Sequence, residues 1–325
     1  MKFSLASARR AFLGISPDEA SFARRSFPAA SPAKQAHLER IGHTFIDGYL
    51  AALDTRDLVA LLFQLNATPE EFRGFAFEGA GMALALTDHL WRRRAPRFDQ
   101  FLHGPAGAHR YMLYIGYGWA AARLPWVRRK IQLLAHRFDP YLGSLMIDGY
   151  GFHEGFFHPQ STISRMQRPG SLPGNAARIF DQGLGRALWF FNGADAGKVS
   201  VCVNRFPSSR RPDLWSGVGL AATYAGGVTE AELMELLGRA APYRGHVAQG
   251  AAFAAKARHF AGIPTPHTEA ACRIFCGMPS AQAALVTDSA LAAAKCLNCA
   301  EPYEAWRAEI RAEFENGRSF AAQSI

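Results

Sequence analysis

The chain has 325 residues, 49% of them hydrophobic and only 19% charged: enough apolar material for a sizeable core and too little charge for global disorder. Lys and Arg outnumber Asp and Glu by 36 to 27, a net charge of +9, but no nucleic-acid-binding motif accompanies the basic residues. No run of 18 apolar residues appears, so no transmembrane helix is expected; the N-terminal apolar stretch is too short for a secretory leader, which makes the cytoplasm the expected location.

Residues 1–40 read as an N-terminal helical extension. Within them Ser16-Pro17-Asp18-Glu19 is a helix start, with a hydroxyl cap and a proline in the first turn. The first small-residue helix follows at Ile46-Asp47-Gly48-Tyr49. Thr68-Pro69-Glu70-Glu71 is another helix start, and it runs into Phe77-Glu78-Gly79-Ala80-Gly81-Met82-Ala83. Ile115-Gly116-Tyr117-Gly118-Trp119 repeats the pattern, and His153-Glu154-Gly155 is its fourth, weaker instance. The basic runs Arg92-Arg93-Arg94 and Arg128-Arg129-Lys130 each follow an apolar stretch and fit helix C-termini, where cations are favoured.

Residues 159–177 hold three prolines and two glycines and read as a long loop. Beyond it, Asp181-Gln182-Gly183-Leu184-Gly185 resumes the series. Val199, Val201 and Val203 alternate at period two, so a little β-structure is expected near 198–206. Trp215-Ser216-Gly217-Val218-Gly219 comes next, then the capping box Thr229-Glu230-Ala231-Glu232, then Gln249-Gly250-Ala251-Ala252-Phe253. Near the end, Cys272, Cys276, Cys296 and Cys299 have zinc-like spacing. They lie in an alanine-rich helical stretch without the glycine of a metal-binding turn, and read as small helix residues.

The leading glycines fall at 48, 79, 116, 155, 183, 217 and 250, a mean period near 34, the length scale of helix-hairpin repeats. The expected architecture is a single all-α domain over 1–325: about seven units of roughly 33 residues forming an α/α toroid or a short superhelix, with the small-residue helices inside. None of the Gly-x-Gly pairs completes a dinucleotide fingerprint, and recurrence at many sites suits helix packing better than one phosphate loop.

The residue before each leading glycine is polar in six of seven cases, on helices that otherwise look buried. If the repeats curve tightly, these positions converge, and acidic groups in an aromatic lining become general acids with raised pKa values. Glu78 and Glu154 are the first candidates for acid or base, with Asp47 equivalent to them, and His153 and His158 as proton relays. Phe77, Trp119, Phe152, Phe156, Gln182, Trp189, Trp215 and Gln249 are candidates for shaping a substrate. Glu78, His89, His153, Glu154 and His158 would also suit a carboxylate–histidine metal site, but no Glu-x-x-His pair recurs on two helices, so no metal and no cofactor is expected.

Five segments resemble a bacterial family of unknown function, UnbL-like, found with enediyne and related polyketide gene clusters: Leu13-Gly14-Ile15-Ser16-Pro17-Asp18-Glu19, Phe77 to Leu84, Gly183 to Phe190, Asp213 to Leu220 and Gln249 to Ala254. That resemblance implies specialised metabolism and a polyene- or polyketide-derived substrate, with a polyketide synthase or another cluster enzyme as partner. It supplies no catalytic residues. The reading is a cofactor-independent cyclase, isomerase or lyase working by proton transfer on a hydrophobic small molecule. A non-catalytic helical scaffold or carrier, and a metal-dependent oxygenase, are the alternatives.

Overall fold

The computed structural model describes residues 10–91, 95–170, 172–297 and 299–322; Arg92, Arg93 and Arg94 lie outside them. Among the described residues there are helices and turns and no strand. Seven long helices form one row: α1 (Pro32–Asp54), α2 (Glu70–Trp91), α3 (Arg110–Arg123), α4 (Leu145–Phe157), α5 (Asn175–Phe191), α6 (Arg211–Ala225) and α7 (Arg244–Phe260). Each packs most extensively on its neighbours in the row. Shorter outer helices carry the chain back between them: Leu58–Asn66, Arg97–His103, Ile131–Phe138, Ala196–Arg205 and Glu230–Arg239. Helices α8 (Ser280–Cys296) and α9 (Pro302–Ala322) cover the end of the row. No described helix is long and apolar enough to cross a membrane.

Local chemistry sets the helix starts. Ser16 accepts from the Asp18 N–H ahead of Pro17, Asp57 from Val59 and Asp195 from Lys198. Thr229 and Glu232 complete a reciprocal capping box. The row is folded over. The guanidinium of Arg258 in α7 donates to the carbonyls of Glu70 and Glu71 in α2, and His37 in α1 meets the carbonyl of Ala225 at the end of α6.

What holds the row together is backbone against backbone. In α2, a Cβ on Gly79 would fall within 3.0 Å of the Phe45 carbonyl oxygen in α1, and one on Gly81 within 3.0 Å of the Leu113 carbonyl oxygen in α3. The same rule runs on. Gly116 faces α2 and Gly118 faces α4; Gly149 faces α3 and Gly151 faces α5; Gly183 faces α4 and Gly185 faces α6; Gly217 faces α5 and Gly219 faces α7. The first glycine of each pair admits the preceding helix, and the second admits the next. Only a residue without a side chain permits this approach.

These contacts correct the expected register at two places. In α4 the pair is Gly149 and Gly151; a Cβ on Gly155 would strike the side chains of Ala187 and Leu184, with the Leu184 carbonyl oxygen at an ordinary 3.8 Å. In α1, Gly48 lies against Ala76 as second glycines do, so Ile46 stands where the first glycine would be. The leading residues are therefore Phe45, Glu78, Ile115, Asp148, Gln182, Ser216 and Gln249, spaced 33, 37, 33, 34, 34 and 33 apart. Asp47 is not among them and is exposed.

The expected β-structure near 198–206 is instead helix Ala196–Arg205. Val199 and Val203, one turn apart, are buried, while Val201 is 65% exposed. A valine at every second position fits both periods, and the Asp195 cap decides for the helix.

Substitution should separate contact glycines from idle ones. Gly217→Ala, whose Cβ would strike the Gln182 carbonyl oxygen, is expected to destabilise the fold by about 3 kcal/mol or more. Gly238→Ala, with nothing within 4 Å in the outer helix Glu230–Arg239, should stabilise it by about 0.5–1 kcal/mol. Denaturant unfolding of the two variants checks both signs.

Candidate functional site

The leading residues turn inward, and most are polar. Gln182 donates to Asp148 at 2.8 Å and to the Tyr303 hydroxyl at 2.9 Å. Ser216 donates to the Gln249 side-chain oxygen at 2.7 Å, which also accepts from Arg307 at 3.2 Å. Arg186 donates to Asp148 at 2.6 Å and lies over the ring of Phe152. This ladder crosses α4 to α7 and ends on α9, every member at most 4% exposed. Nearby, Asp213 bridges Arg307 and Arg178. Burial alone would raise its pKa, but the two guanidiniums overcome that and hold it below its ordinary value.

Glu78 is the exception. It is fully buried, and neither carboxyl oxygen makes a well-aligned hydrogen bond to any described residue. The nearest cation, Arg186, is 3.8 Å away and committed to Asp148. Burial pushes the Glu78 carboxyl up to about 7, and the Asp148 charge adds to the rise; Arg186 and the indole N–H of Trp119 oppose it. The indole N–H is close enough to Glu78 to lower that value but makes no well-aligned hydrogen bond to any described residue.

Glu78 faces an apolar cavity of about 40 Å³ walled by Phe45, Phe75, Trp119, Phe152, Phe156 and Phe190, with Ile15 and Ala20 of the N-terminal segment also in its lining. Trp119 packs on Phe45 and edge-on to Phe152, and Phe27 joins Phe156 to Phe191. The N-terminal segment is held down by the Tyr49 hydroxyl donating to the Leu13 carbonyl.

A second, polar cavity adjoins the first and shares Ile15, Glu19, Met82 and Phe157 with it. Its other walls include Arg25, Arg123, Arg128, His153, Glu154 and His158. One Glu154 oxygen is 3.0 Å from His153 Nδ1, and the other is 3.8 Å from His158 Nδ1. The three side chains place possible metal-ligating atoms within 4.8 Å of one another. Burial lowers the His153 pKa against the opposing pull of Glu154, which favours a neutral ring at pH 7.

The structure thus brings Glu78, Trp119, Phe152 and Phe156 together in one cavity, with His153, Glu154 and His158 at its polar neighbour. Gln182 and Gln249 belong to the ladder beneath. Three expected neighbours stand apart. Phe77 stacks on His109 in the core, and Trp189 and Trp215 are buried there too, none of them lining either cavity. Asp47, displaced from the leading position by the register of α1, points to solvent. His89, three helical turns from Glu78, bonds instead to the Tyr117 hydroxyl in a different cavity. Phe45, Arg25, Arg123 and Arg128 were not legible as site residues. Only the corrected register picks out Phe45; Arg128 stands in a basic run that fits a helix C-terminus, and nothing local marks Arg25 or Arg123.

Fold and site define an all-α helical-repeat protein with a desolvated carboxyl buried at an aromatic cavity. More specifically, the chain belongs to the family described as "Protein of unknown function (DUF1702)", whose model matches residues 4–314. No curated protein and no solved structure matches it.

The raised Glu78 pKa has a consequence for stability. Folding takes up a proton between the unfolded value of 4.5 and the folded value of about 7, so wild-type stability falls as pH rises through that window. Glu78→Gln removes this loss. The variant should match wild type near pH 4 and exceed it at about pH 8 by up to about 3 kcal/mol, as melting curves across pH would show.

Proposed function

We propose that this protein is an enzyme of specialised metabolism that transfers protons on a hydrophobic polyene- or polyketide-derived intermediate, with Glu78 as the acid. The carrying observation is a carboxyl buried among aromatic rings with no well-aligned hydrogen bond to any described residue, a setting whose desolvation pushes its pKa up to about 7. Such a group is matched to proton donation at the pH of a cell. The surrounding ring faces favour a positive charge developing on a bound hydrocarbon.

In the proposed reaction the neutral Glu78 carboxyl gives its proton to one carbon of an unsaturated substrate. A different proton then leaves a neighbouring carbon to the Glu78 carboxylate. The proton count is unchanged, and the outcome is isomerisation or cyclisation. The resemblance to enediyne-associated proteins supports the substrate class, and the polar mouth suits a functionalised end of the molecule. A cavity of about 40 Å³ holds occupants the size of water. A metabolite therefore enters only when the N-terminal segment carrying Ile15 and Ala20 moves off the aromatic walls.

The test is complementation. In a strain lacking the gene, wild-type protein should restore the final metabolite, whereas Glu78→Gln, folded and equally abundant, should leave the same lipophilic intermediate as the deletion, read by mass spectrometry. Full restoration by Glu78→Gln would rule out the acid role and favour a scaffold.

A further inference from the structure

We propose that His153, Glu154 and His158 bind one divalent first-row transition-metal ion of the zinc or ferrous class at the mouth of the aromatic cavity. This inference rests on a different group of atoms from the Glu78 reading and is independent of it.

The geometry is nearly that of a loaded site. Ligand atoms about 2.0–2.2 Å from a tetrahedral ion are about 3.3–3.5 Å from one another. Here the Glu154 oxygens lie 3.0 and 3.8 Å from the two imidazole nitrogens, and the whole set spans no more than 4.8 Å. A change of at most about 1.5 Å in any ligand-to-ligand separation brings the set into that range.

The scaffold is fixed. Glu154 sits in the last turn of α4 with His153 just before it, His158 is its C-terminal cap, and the Thr162 hydroxyl reaches the carbonyls of both Glu154 and His158. Two imidazoles and one carboxylate are the donor set of open zinc sites and of ferrous facial triads. The remaining coordination positions would face the polar cavity, about 640 Å³ in volume, as a site that takes a water or a substrate requires.

The arginines set the character of the site. Arg25 is paired with Glu19, whereas Arg123 has no ion pair among the described residues. Guanidiniums beside a dication oppose it in the bare state and favour an anionic ligand at its open position. The site is therefore one for a metal together with an acidic group of a small molecule, such as a carboxylate or enolate.

The exposed Cys296 and Cys299 would bind soft metals on their own account, so the test uses the full chain with both changed to serine. After chelator treatment, titration with Co2+ followed by visible absorption, and competition by Zn2+ and Fe2+, should show one ion per chain. His158→Ala and Glu154→Gln should each weaken binding at least tenfold. Because His158 is more than half exposed, its alanine variant should fold normally, which circular dichroism checks. Glu78→Gln is expected to bind as tightly as the parent, so the metal site and the acid role fail separately. Absence of a stoichiometric site in the parent, or unchanged affinity in both ligand variants, overturns the proposal.

Discussion

Consecutive inner helices touch through their backbones, and the rest of the molecule follows from that. At each crossing the carbonyl oxygen of one helix occupies the space where the next would carry a Cβ. The paired glycines are thus a spacing rule in three dimensions: two small residues, two apart, one for each neighbour. The flanking positions are thereby fixed in direction. The residue ahead of each pair faces inward, where Phe45, Glu78, Ile115, Asp148, Gln182, Ser216 and Gln249 are all buried.

A fold that forces polar residues inside must satisfy them, because a buried polar group without a partner is costly. Most of this set complies. Asp148 has Arg186 and Gln182, and Ser216 has Gln249. Away from the leading positions, Asp181 is held by Arg210 and Arg168, and Asp213 by Arg307 and Arg178. Glu78 alone among these carboxylates is left without a hydrogen bond, and the balance is kept by holding its proton. Replacement of such a group by a neutral one costs the fold nothing at high pH. The same helices that desolvate it also line it with aromatic rings.

Much of this was legible in the chain, and the illegible parts have physical causes. The period, the all-α class and the helix starts at Ser16 and Thr229 are local properties, written in residue type and spacing. Register is not local. In α1 the first position of the pair is Ile46, so Gly48 alone pointed to Asp47; in α4 Gly155 competes with Gly149 and Gly151 within one short helix. Only the neighbouring backbone distinguishes a glycine in contact from one beside a side chain. Val199, Val201 and Val203 satisfy two periods at once. Glu78 could be singled out as a carboxyl on a buried helix, but its lack of a partner could not, since that depends on Arg186, more than a hundred residues away, being committed to Asp148. The arginines of the mouth arrive from three separate segments and carry no shared motif.

The buried Glu78 carboxyl keeps its proton well above the ordinary carboxylate range, with a pKa of about 7. Infrared difference spectroscopy of wild type against Glu78→Gln, scanned across pH, reads that proton directly through the carbonyl stretch of the protonated acid. One such band is expected, absent from the variant, that disappears with a midpoint near pH 7. A carboxylate band already complete by about pH 5, as for an ordinary solvated glutamate, would contradict it.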